Sequence, residues 1–227
     1  MASLALTRQF DLAMTRLYAR SLFRWMAFGM LLPVVLGHPA GAQGPRLNVT
    51  VHSFDYSGTP SAAIAEAQRA AAMTFLQAGI HILWLNCPVA GSQSASVPDC
   101  EARTDATHFV LVVLPERMAR RIATDSRQFG LAVLNPEGGF PNHAYVFLHR
   151  AVDLAKNELL PWTAILGHLI AHELGHLLLG TNSHFPVGIM RANWRPAEIK
   201  QALMGNLSFT PQQVERIRDD VQLRLRP

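Results

Sequence analysis

The chain has 227 residues, 49% hydrophobic and 16% charged, which is enough apolar sequence for a real core and excludes a disordered or low-complexity protein. Its formal charge is +4, but Arg8, Arg16, Arg20, Arg24 and Asp11 all fall in the first 42 residues. Without them the 20 basic and 16 acidic residues become 16 and 15. No basic stripe remains, so a nucleic-acid partner is not expected.

The first 42 residues have the three parts of a secretory signal peptide. A basic lead is followed by an uncharged apolar run from Trp25 to Leu36 and by the small-residue exit Ala40-Gly41-Ala42. The run is shorter than the about 20 residues that span a bilayer. Cleavage after Ala42 is therefore expected, with Met14 as an alternative start that shortens the basic lead. Residues 43–227 then form one exported, secreted or periplasmic domain. A membrane is expected as a partner only if the leader stays uncleaved.

Leu47 to Phe54 alternates and is rich in β-formers, which predicts a first strand. Thr59-Pro60-Ser61 opens a helix whose Ile64, Ala67, Ala71, Phe75 and Ala78 share a face, and Gly79 ends it. Ile80 to Leu85 reads as a second strand. Cys87 and Cys100 follow, an even pair in an exported chain that suits one disulfide across a Gly/Ser-rich loop. Closing such a loop contributes about 3 kcal/mol in the chain-entropy picture. The spacing is not that of a zinc finger.

Thr107 to Leu114 is almost wholly apolar, as a buried central strand requires, and Pro115 stops it. Phe129 to Leu134 and His143 to Leu148 read as strands, with turn residues Asn135-Pro136 and Gly138-Gly139 between them. Pro161 to Leu179 is too long and too uniformly apolar for a strand and predicts a buried helix ending at Gly180. After a loop to Trp194, Thr210-Pro211 opens a closing helix with Val214, Ile217 and Val221 on one face. The order implies a mixed α/β domain built on one sheet, without repeats.

The chemistry lies in His172-Glu173-Leu174-Gly175-His176. Residues four apart on a helix share a face, so His172 and His176 can offer two imidazoles to one ion. Glu173, one position on, can lie beside that ion without binding it and take a proton from water. The motif sits inside the most apolar helix of the chain, where two histidines and a glutamate are costly without partners.

This stretch resembles the active-site segment of the metzincin clan of zinc metallopeptidases, and more loosely its matrixin-like members. The clan signature is His-Glu-x-x-His-x-x-Gly-x-x-His followed by a methionine turn. Here the match is offset: Gly180 comes one residue late, Asn182 holds the strict third-histidine position, and the next histidine is His184. The resemblance implies Zn2+ held by His172, His176 and His184, with Glu173 as general base. Met190, in Gly188-Ile189-Met190-Arg191, would be the Met-turn residue. Asn182, His168 and Glu198 are the alternatives for the third ligand.

The resemblance extends loosely over residues 46–225. It implies a zincin/metzincin-like single domain with a twisted mixed sheet, a long active-site helix, a Met-turn and a C-terminal helix. Phe129 to Ala132 would be the substrate-side edge strand. No cysteine-switch propeptide is expected, because little chain lies between Ala42 and the first strand.

The implied activity is hydrolysis of peptide bonds in a protein or peptide substrate by a monomer. Zinc lowers the pKa of water to about 7, and Glu173 would pass the abstracted proton to the leaving amine. Trp194 is a candidate pocket wall. The offset motif keeps two other classes open: an inactive binding module on the same fold, and a zinc amide hydrolase acting on small molecules. His52, His81, His108, His143 and His149 are scattered and read as strand or surface histidines, and Asp219-Asp220 as a solvated helix face.

Overall fold

The structure, a computed structural model, describes residues 47–89, 97–101, 105–135, 139–156 and 161–226. The leader, its cleavage site, the alternative start and most of the Gly/Ser-rich loop lie outside the described residues.

The first strand, β1 (Leu47–Asp55), leads into helix α1 (Ser61–Gln77), and β2 (Ile80–Cys87) returns parallel to β1. Gly79, at φ 77°, makes the left-handed turn between them. A four-residue helix, α2 (Pro98–Glu101), precedes β3 (His108–Leu114), and a second short one, α3 (Glu116–Ala119), follows it. The remaining strands are β4 (Gly130–Val133) and β5 (His143–Phe147). The sheet order is β2-β1-β3-β5-β4, parallel throughout except for the antiparallel pair β4 and β5. The expected mixed α/β class is therefore observed.

Four helices complete the fold: α4 (Leu148–Lys156), α5 (Trp162–Leu179), α6 (Pro196–Leu203) and α7 (Pro211–Arg224). The sequence reading lacks α2, α3, α4 and α6. β5 runs into α4 with no intervening residue, so no turn signal separates them. α6 begins just past the expected loop, in a stretch the sequence reading leaves unassigned, with the Glu198 carboxylate accepting the Arg195 N–H at 2.8 Å. Among the described residues no helix is long and apolar enough to cross a membrane.

The core fills the space between one face of the sheet and the helices. Val49, Val51, Leu111, Val113, Ala144 and Val146 meet Ile64, Ala67, Ala71, Phe75, Leu166 and Ile170 in one buried cluster. Each such aliphatic side chain contributes about 1.5–3 kcal/mol on burial. α5 is buried without a break from Ile165 to Leu179, because other elements surround it. α1 crosses it so closely that a Cβ on Gly167 would lie 2.5 Å from both the Ala67 carbonyl oxygen and the Ala70 Cβ.

α7 locks the far end. The side chain of Arg224 is fully buried, pairs with Asp220 and donates to the carbonyls of Ala106, Pro141 and Leu177. Its guanidinium also lies over the rings of Phe109 and Phe140. Asp220 is thus the partner of a buried cation rather than part of a solvated face.

Gly167→Ala is expected to lower stability by about 1–3 kcal/mol, seen as a lower urea midpoint at unchanged slope. An unchanged midpoint would mean that α1 and α5 do not meet at this glycine.

Candidate metal centre

α5 ends at Gly180, whose φ of 63° is the left-handed cap the sequence predicts. The chain then turns back beneath the helix through Thr181 to Ile189. Two backbone carbonyls of this return accept protons from the helix histidines. The His172 Nδ1–H donates to the Ile189 carbonyl at 2.7 Å, and the His176 Nδ1–H to the Thr181 carbonyl at 2.7 Å. These acceptors fix both tautomers and leave both Nε2 atoms with a lone pair.

The two Nε2 atoms lie 3.1 Å apart, close to the roughly 3.3 Å that two nitrogens at zinc bond length subtend in a tetrahedron. Lone pairs at that distance repel unless a proton or a cation lies between them. His184, from the return loop, brings a third ring: the ligand atoms of His172, His176 and His184 all lie within 4.8 Å of one another. Three neutral imidazoles facing one point suit a borderline-soft divalent cation such as zinc, so the donor set fits the group the motif implies.

The other third-ligand candidates sit elsewhere or differently. His168 is buried one turn earlier and donates from Nδ1 to the Ala164 carbonyl. Glu198 caps α6 and pairs with Arg191 at 3.6 Å. Asn182 lines the same cavity as the three histidines.

Glu173 is buried and faces that cavity, whose volume is about 310 Å³. β4 forms one wall and is the last strand of the sheet, so its outer edge has no strand partner among the described residues. Gly130 of β4 makes room for the carboxylate: a Cβ there would lie 2.8 Å from the Glu173 Cγ and would run into the Tyr145 carbonyl. Met190 is fully buried, and a Cβ on Gly175 would lie 2.7 Å from its sulfur.

Sequence reasoning places Gly130 on the edge strand but misses the clearance it gives Glu173 and the two carbonyl acceptors, because neither main-chain position nor clearance leaves a residue-type signal. It also misses Asp125, Arg127 and Gln128, which line the cavity mouth. Trp194 does not line the cavity. It is buried behind His172, packs on Phe129 and donates its indole N–H to the Ile189 carbonyl at 3.1 Å.

Burial sets the charge states. It lowers His172 well below its ordinary value, with His176 adding to the effect, and lowers His176 to about 4. It also raises the Glu173 carboxyl to about 8. A cation nearby favours the carboxylate and opposes that last shift.

The disulfide Cys87–Cys100 is formed. His52 is buried on β1, with Nδ1 3.9 Å from the Cys87 sulfur and Nε2 2.9 Å from Nδ1 of His108. Burial, then His108, lower its pKa, and Asp99 opposes them.

No protein-family model and no curated protein matches this sequence. Among solved structures, the crystal structure of archaemetzincin from Methanopyrus kandleri is similar, with a TM-score of 0.46 and 12% identity. The alignment covers 82% of this chain and 99% of that one.

The pH dependence of the chelator-treated protein follows from these shifts. Between about 6.5 and 4 the unfolded chain takes up protons that folded His172 and His176 reject, so stability falls as pH falls. His176 alone accounts for on the order of 3 kcal/mol once pH is below its folded value. Folded Glu173 holds its proton up to about 8. Its contribution is full below about pH 4.5 and fades as pH rises through 8. Urea midpoints across pH should show both limbs. His176→Gln should flatten the acid limb and Glu173→Gln the alkaline one, and a profile that neither change alters would contradict these assignments.

Proposed function

We propose that this protein is a secreted or periplasmic zinc-dependent peptidase, with residues 43–227 as its working domain. The observation that carries the reading is the convergence of His172, His176 and His184 at one point, with the Glu173 carboxylate beside it in a cavity bounded by a sheet edge. His172, His176 and His184 would hold the metal, which when bound acidifies water and polarises a carbonyl. Glu173 then takes a proton as the carbonyl is attacked and returns it to the leaving amine. The unpaired edge of β4 offers main-chain hydrogen bonds to an extended peptide, which favours a peptide over a small amide. Met190 supports the floor of the site. The leader-like N-terminus and the disulfide support export.

The purified protein should carry about one zinc per chain by mass spectrometry, and His184→Ala should lose it. Glu173→Gln should keep the metal and lose about 10²–10⁴-fold in peptide cleavage. Zinc retained in His184→Ala would move the third ligand to Asn182. Equal behaviour of wild type and Glu173→Gln on a broad peptide library would sink the catalytic reading, and cleavage of small amides alone would sink the choice of substrate.

A further inference from the structure

A second group of metal-ligating side chains lies away from the candidate centre. Asn48, Thr50, His52 and Phe54 alternate on β1 with the core residues Val49 and Val51, so they occupy the sheet face turned from α5. Cys87 pairs in register with Phe54 and therefore shares that face with His52. Cys100, on α2, reaches the same point, and the ligand atoms of His52, Cys87 and Cys100 all lie within 4.8 Å of one another.

The surroundings orient the imidazole. Asp105 Oδ1 lies 3.9 Å from Nε2 of His108, which favours a hydrogen on that nitrogen and leaves His108 Nδ1 as an acceptor. His108 Nδ1 in turn draws the His52 hydrogen to Nε2, at 2.9 Å. The remaining nitrogen, His52 Nδ1, presents its lone pair to the Cys87 sulfur at 3.9 Å. A disulfide sulfur carries no hydrogen to donate, so this lone pair is aimed at a group that gives it little. An imidazole held from behind by a hydrogen-bonded partner is the arrangement that metal-ligating histidines adopt.

We propose that the Cys87–Cys100 pair is a redox-gated metal site, which with His52 binds a borderline-soft divalent cation of the zinc type once the disulfide is reduced. A dithiol reductant supplies two electrons and two protons. The Sγ–Sγ bond breaks, two thiols form, and the reductant closes to its own disulfide. On binding, both thiols release their protons to solvent, and two thiolates with the neutral His52 hold the cation. The end of β2 and α2 are then cross-linked in either redox state, by a covalent bond or by a metal, and the metal form ties in β1 through His52 as well. Sequence spacing hides the site because its histidine comes from a strand 35 residues before Cys87.

The test uses the purified protein and Co2+ as the probe, before and after reduction by a water-soluble phosphine, which becomes its oxide. Reduction should add one bound cobalt per chain and a sulfur-to-cobalt charge-transfer absorption, which a three-histidine site cannot give. Cys100→Ser and His52→Ala should each remove that extra equivalent, with folding checked by circular dichroism, and leave cobalt at the three histidines. A reduced, folded protein that gains neither cobalt nor the absorption overturns the proposal, as does a chain that unfolds on reduction whatever metal is supplied. Absence of cobalt before reduction, with one equivalent and the absorption after it, would overturn the three-histidine reading and support this one.

Discussion

Two imidazole nitrogens face each other at 3.1 Å inside the most apolar of the described helices. Neither can donate to the other, because each ring already gives its hydrogen to a main-chain carbonyl. That mutual repulsion is the constraint to which the surrounding structure is fitted. In the proposed metal reading a cation answers it with both rings neutral. The return loop then serves two ends at once, supplying the carbonyls that orient the first two rings and the histidine that completes the set.

The rest of the fold keeps α5 enclosed without crowding its polar residues. Three glycines do this from three sides. Gly167 lets α1 cross closely, Gly175 leaves space for the Met190 sulfur, and Gly130 on the edge strand leaves space for the Glu173 carboxylate. A side chain at any of them meets backbone or a packed group. The parallel strands bury one face against the helices, and β4 is turned antiparallel at the boundary of the sheet. A main-chain edge with no strand partner among the described residues therefore lies beside the cavity.

The long strands and helices were legible in the sequence because their periodicity and their stops coincide. Gly79 and Gly180 end helices where the apolar pattern ends, and both adopt positive φ. The short helices were not legible. α4 follows β5 without a break, and α2 and α3 are single turns whose residues carry no helical period. At the candidate centre, His172, Glu173 and His176 could be read from spacing alone, because four residues on a helix fix a geometry. His184 could be named only through the family resemblance, since a loop spacing fixes none. The carbonyls of Thr181 and Ile189, the clearance at Gly130 and the His52–His108 contact were out of reach. Each depends on where the backbone of one element passes another.

One carbonyl joins packing to the candidate centre. The Ile189 oxygen accepts from His172 and also from the indole of Trp194, while the Ile189 N–H donates to the Ser208 carbonyl at the approach to α7. The residue that orients the first histidine is thus held on both of its peptides by Trp194 and Ser208, neither of which is among the three histidines. If the three histidines hold a cation as proposed, ordering of the return loop and occupancy of the site are thermodynamically linked. On that reading, loosening Trp194 or the Ser208 contact would register as faster loss of the ion, while the sheet beneath stayed intact.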